Sequence, residues 1–187
     1  MQTFLPVNSI ALSPSYLDSI RLNKQITEAI QIHNTLTEKS KGWINHPAVK
    51  MWRGYENALL EYAYNCFEEW IKRGGKRSSP LIKPAVYELP PWFGDEKLHS
   101  SHRARLILKG EIDLLNIRMR YKFKKSIDKK NFLKSLEIKD LRTIDYSRVC
   151  SLHEQLDNLK FPKTQKENFY LKFKWKEKPS TEYWWPV

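Results

Sequence analysis

Three short polar clusters carry the residue types from which a reactive site could be built. In the first, Arg21, Lys24, Gln25 and Glu28 recur at spacings of three, one and three residues. At 100° per residue they fall within about one quadrant of a helix. The second follows at His46, Trp52, Arg53 and Glu56. Together they offer cationic anchors for phosphate (Arg21, Lys24, Arg53) around a carboxylate, Glu28 or Glu56, suited to moving a proton. A buried ion-pair network joining two packed helices would have the same composition, because buried charges are normally paired. The third cluster is His99, His102 and Arg103. Two imidazoles at i, i+3 can share a metal, but zinc needs a third ligand, and neither an HExxH pattern nor a cysteine pair supplies one. No metal and no cofactor are therefore expected. The cluster reads instead as a helix face able to donate hydrogen bonds to phosphate or to a departing base. Glycine-rich phosphate loops and the G-x-S-x-G nucleophile turn are absent, which argues against kinase, dinucleotide-binding and serine-hydrolase classes.

Helices have to position these groups. After an extended opening from Gln2 to Leu12, Ser13-Pro14 reads as a cap followed by proline at the first helical position. Leu22, Ile26, Ala29, Ile30, His33 and Leu36 then form an apolar stripe opposite the first polar cluster. His46-Pro47 predicts a second helix whose stripe of Tyr55, Leu59, Tyr62, Ala63, Cys66, Phe67, Trp70 and Ile71 runs until Gly74-Gly75 stops it. Four prolines between residues 75 and 94 forbid a regular helix there. A third helix is expected over about 95–109 with Gly110 as its stop, followed by helical stripes at 111–127 and 145–160. Phe169 to Trp175 alternates like a strand as much as it suggests a helix, and Tyr183-Trp184-Trp185-Pro186 reads as an aromatic loop. No strand set is large enough for a sheet, so the expected fold is mainly α, a compact helical single domain over 1–187.

Charge points to the partner. The 187 residues carry 33 Lys+Arg against 21 Asp+Glu, a formal charge of +12. The excess grows along the chain, from +1 over residues 1–75 to +4 over 76–110 and +7 over 111–187. Lysine and arginine contacts to phosphate give sequence-independent affinity for nucleic acid. Lys172-Phe173-Lys174-Trp175-Lys176 and Trp184-Trp185 combine charge with rings, the pairing that holds a backbone while stacking unpaired bases; equally, these rings could close the core. Aromatics at 13%, with 7 Trp, allow a real core without disulfides. Cys66 and Cys150 read as reduced core residues. The start of the chain lacks the pattern of a signal peptide, and no apolar run is long enough to cross a membrane. A soluble, cytoplasmic protein is expected, nucleoid-associated when bound to DNA.

These residues also resemble a known family. Met1-Gln2-Thr3-Phe4-Leu5-Pro6, Leu17-Asp18 through Arg21-Leu22, Lys24-Gln25 and Glu28-Ala29, then Asn45-His46-Pro47-Ala48-Val49 and Met51-Trp52-Arg53-Gly54 with Glu56, form a long ordered string. Pro91-Trp92, Gly94-Asp95-Glu96, Ser101-His102-Arg103 and the closing Trp185-Pro186-Val187 extend it. The string resembles the bacterial branch of the pyrimidine-dimer DNA glycosylases of the endonuclease V type. It covers about 1–109 and 166–187, leaving 111–165 as a basic helical insertion.

That resemblance implies a DNA-repair N-glycosylase with abasic-site lyase activity, acting on double-stranded DNA as a monomer. In the family the N-terminal α-amine attacks the sugar C1′ to form a Schiff base, and a glutamate assists. An α-amine titrates near about 7.7–8.0 against about 10.4 for lysine, so a useful fraction is unprotonated near neutrality. Gln2 is bulky enough to keep Met1 in place, which makes the Met1 amine the nucleophile. Leu22 follows Arg21 where the family has its glutamate, so the acid/base role passes to Glu28, with Gln25 beside it and Glu56 as the other candidate. Arg21, Lys24, His46, Trp52, Arg53, His99, His102 and Arg103 are the expected nucleic-acid-binding residues. A non-catalytic nucleic-acid-binding module of the same fold, or an RNA-processing enzyme, would share the basic surface.

Overall fold

Asp18, not the Ser13-Pro14 pair, starts the first helix, because its carboxylate accepts from the Arg21 backbone N–H. Ser13–Tyr16 instead forms a short 3-10 turn. The computed structural model describes residues 1–156 and 167–186. Among them are six α-helices and no strand: α1 Ser19–Leu36, α2 Pro47–Lys50, α3 Glu56–Lys72, α4 Glu96–Lys122, α5 Ser126–Ser135 and α6 Tyr146–Leu156. The mainly α expectation holds. Residues 157–160 of the expected last helix, Lys166 and Val187 lie outside the described residues.

Further elements differ from the sequence reading. The second expected helix is two: α2 lasts one turn, and the chain turns through Gly54, whose φ of +83° suits a residue without Cβ, before α3 begins. Gly110 does not stop a helix; α4 runs through it. A Cβ at that position would collide with the Asn168 side chain, whose amide donates to the Ile107 carbonyl and to Glu111. Glycine is there for close approach, not for termination. Phe169–Phe173 is a 3-10 turn closed by Lys174 in the left-handed region, rather than a strand.

The chain divides into two compact units, Met1–His102 with Trp184–Val187, and Arg103–Tyr183. In the first, α1 packs on α3, and Leu5, Leu17, Leu22, Ile26, Ile32, Trp52, Leu59 and Tyr62 are fully enclosed. The buried stripe of α1 is rotated from the expected one: Gln25, Glu28 and Thr35 are buried, while Ile30, His33 and Leu36 are half-buried. The polar quadrant of α1 is thus partly an interior face. The second unit has its own core of Leu108, Ile112, Leu115, Met119, Val149, Leu152 and Leu156. Both cysteines are free; Cys66 is buried and Cys150 half-buried.

Candidate active site

Residues 1–6 pair with no strand, so their backbone polar groups need partners from elsewhere. Side chains supply them. Gln25 on α1 accepts from Phe4 N–H at 2.7 Å and donates to the Gln2 carbonyl at 2.8 Å, as a neighbouring strand would. Its remaining capacity goes to the Tyr62 hydroxyl at 2.8 Å and the Glu28 carboxylate at 3.1 Å. All four hydrogen-bonding positions of this amide are therefore used. The Tyr62 hydroxyl also lies 2.8 Å from the Phe4 carbonyl; burial pushes its pKa well up, which keeps it a donor.

Two histidines of α4 complete the clamp. His102 Nδ1 accepts from Leu5 N–H at 2.9 Å, so the ring proton sits on Nε2. That nitrogen is 2.7 Å from the Gln2 side-chain amide, which must present its carbonyl oxygen there. His99 Nδ1 donates to the Leu5 carbonyl at 2.7 Å. Trp52 donates from Nε1 to the Thr3 hydroxyl at 2.9 Å. Trp52, His99 and His102 are almost wholly enclosed, and in this arrangement they hold residues 2–5. Among the described residues no group of three His, Cys, Asp or Glu could hold a metal ion.

The consequence falls at the first residue. Glu28 Oε2 accepts from Gln2 N–H at 3.1 Å, which fixes a carboxylate at the peptide joining Met1 to Gln2. The Glu28 carboxylate is also 3.5 Å from Lys24 Nζ, on a side chain that is largely exposed. His46 lies within electrostatic reach of Glu28 and of the α-amine: burial lowers its pKa, the positive charge of the α-amine lowers it further, and Glu28 opposes them. Its Nδ1 accepts from Ala48 N–H at 3.1 Å and caps α2, leaving the proton of the neutral ring on Nε2. The ring meets Trp43 and Trp185 edge-on, with centroids 5.7 and 6.1 Å away. Met1, Lys24, Glu28 and His46 thus form one group: an amine, an ammonium, a carboxylate and a neutral imidazole.

The other candidates have contacts or exposure of their own. Arg21 pairs with Asp18 at 2.6 Å in the first turn of α1. Arg53 is exposed at the turn between α2 and α3, and Glu56 accepts from Gly54 N–H at the start of α3. Arg103 belongs to the second unit, where it pairs with Glu177 at 2.7 Å through Nε. Sequence reasoning missed Tyr62 and Thr3 as parts of this assembly. The available signal was a phenol in an otherwise apolar buried stripe, since a buried hydroxyl needs a partner.

A family model described as pyrimidine dimer DNA glycosylase matches residues 1–83. Over those residues the chain is similar to this family. The family consists of DNA-repair enzymes, glycosylases with abasic-site lyase activity, and their substrate is DNA. The family segment holds Met1, Arg21, Lys24, Gln25, Glu28, His46, Trp52 and Arg53, whereas His99, His102 and Arg103 lie beyond it. No curated protein and no solved structure matches the chain.

The clamp on residues 2–5 predicts a large stability effect at Gln25. Gln25→Leu keeps the volume but strips partners from Phe4 N–H and the Gln2 carbonyl, at about 1–3 kcal/mol for each buried group left unpaired. A loss of about 2–6 kcal/mol is expected in urea unfolding. A loss below about 1 kcal/mol would mean that the segment is not held as described.

Proposed function

We propose that the protein is a DNA-repair N-glycosylase with abasic-site lyase activity that removes a damaged, pyrimidine-dimer-like base through the α-amine of Met1. The observation that supports this most strongly is the Glu28 carboxylate bound to the backbone N–H of residue 2, 3.1 Å away. It holds a proton acceptor at the first peptide N–H after the terminal amine, on a segment otherwise clamped by side chains of α1, α3 and α4, and so supports the reading.

In this reading the amine lone pair attacks C1′, the glycosidic bond breaks, and the base leaves with its electron pair and takes a proton. The attached nitrogen loses a proton, the C1′–O4′ bond opens with O4′ taking a proton, and the iminium so formed acidifies the C2′ hydrogen. Glu28 removes that proton, the 3′ phosphate leaves by β-elimination, and water releases the imine. His46, neutral near pH 7, offers Nε2–H to the departing base or the sugar. Gln25 acts as a positioning residue, since its amide is fully engaged. Lys24, Arg53 and Arg21 face the phosphodiester, and the basic residues after 110 add affinity for duplex. An extrahelical base gives the amine its path to C1′.

Incubation with ultraviolet-irradiated duplex tests the reading: nicking at dimers and at abasic sites is expected. Binding that leaves both intact would favour the non-catalytic module. Affinity for duplex should fall steeply between 50 and 200 mM salt, with log K dropping about 0.9 per log unit of salt for every phosphate neutralised. A flat response would remove nucleic acid as the partner.

A further inference from the structure

Trp43 is a large ring in an unfavourable place. Its side chain is 64% exposed, and its φ of +65° lies in the left-handed region that bulky residues rarely enter. The turn that carries it is nonetheless fixed on both sides. The Thr35 hydroxyl donates to the Gly42 carbonyl at 2.9 Å, and His46 N–H donates to the Trp43 carbonyl at 2.8 Å. Ile44 beside it is 52% exposed. An indole held out into water on a strained, anchored turn is not filling a core.

Its surroundings indicate what it meets. The ring stands edge-on to His46, the imidazole of the candidate site, with centroids 5.7 Å apart. Lys39, Lys41, Lys50 and Arg53 are exposed on the segments flanking the tip. An apolar tip within a collar of cations matches a polyanion whose interior is a stack of flat apolar rings.

We infer that Trp43 is a wedge that enters the DNA duplex beside the nucleotide under attack and fills the gap in the stack as that nucleotide is drawn out. The inference rests on the proposed action at C1′ and adds a residue that selects duplex with a disrupted stack. Inserted apolar side chains unstack base steps in this way, and stacking of a base on an aromatic ring is sequence-tolerant. The strained backbone keeps the indole projecting before DNA arrives, so its ordering is not charged to binding.

The test uses the full chain and a duplex containing a tetrahydrofuran abasic analogue, which cannot form an imine, with 2-aminopurine opposite it. Wild type should bind this duplex more tightly than intact duplex and raise the 2-aminopurine fluorescence as the stack opens. Trp43→Ala should lose that preference, by roughly tenfold or more, and the fluorescence rise, whereas Trp43→Phe should retain part of both. In parallel, borohydride adducts on natural abasic DNA are compared between duplex and single strand. The loss in Trp43→Ala should be roughly tenfold greater on duplex, where a stack must be opened. Equal binding and equal fluorescence in wild type and Trp43→Ala would overturn the wedge. So would burial of Trp43 by anionic phospholipid vesicles but not by duplex, which would make the tip a membrane contact. If wild type forms no adduct on any abasic DNA yet shows a Trp43-dependent fluorescence rise, the wedge stands and the lyase reading falls.

Discussion

Glu28→Gln is expected to slow lyase turnover by about 10²–10⁴-fold, the range found when a positioned acid/base is lost. The substitution is nearly isosteric, and the new amide oxygen can still accept from Gln2 N–H, the 3.1 Å bond that ties the carboxylate to the start of the chain. Its contact with Lys24 Nζ spans 3.5 Å from a largely exposed ammonium, a pair of the kind that contributes at most about 1 kcal/mol. Fold and duplex affinity should therefore change little while turnover collapses. What disappears is the ability to take a proton from C2′. Single-turnover nicking of abasic duplex, with affinity measured alongside, separates the two effects. A fall in turnover of less than about tenfold at unchanged affinity would take the acid/base role away from Glu28 and leave Glu56 to be tried.

Adding one residue ahead of Met1 should have an effect at least as large. Residues 2–5 are gripped by Gln25, Glu28, Tyr62, His99 and His102, so they cannot slide to accommodate a longer chain. The amine would move by up to one residue's reach, about 3.3–3.6 Å, and its old position would become an amide nitrogen. An amide has no lone pair to give to C1′, and a displacement of even about 1 Å from the productive geometry can cost about 10²-fold. Imine formation should fall to background, with melting temperature and salt-dependent binding preserved. Persistence of imine formation would place the nucleophile elsewhere, with Lys24 next to Glu28 the first residue to substitute.

Periodicity made α3 and the body of α1 legible, because their buried faces repeat at helical spacing. The same rule placed Arg21, Lys24, Gln25 and Glu28 on one quadrant, but it could not tell an outward face from an inward one. Gln25 and Glu28 turn inward because a segment that makes no sheet needs their oxygens and amide. Local sequence carries no trace of that demand, which arises 21 to 26 residues away in the chain. For the same reason His99 and His102 look like phosphate donors in the sequence and prove to be tied to Leu5 in the structure. Gly110 misled in the opposite direction: as a stop signal it is common, and only the distant Asn168 reveals that the glycine makes room inside a continuing helix. The break between α2 and α3 was marked by Gly54, yet the apolar stripe on either side concealed it.

Borohydride trapping tests the central claim most directly, because reduction converts a transient imine into a stable bond between the attacking amine and C1′. Protein incubated with abasic duplex, reduced, digested and mapped by mass spectrometry should carry the adduct on the α-amine of Met1. An adduct on Lys24 or any other lysine would preserve the lyase chemistry and contradict the N-terminal mechanism. No adduct, with duplex bound tightly and left uncut, would contradict catalysis itself.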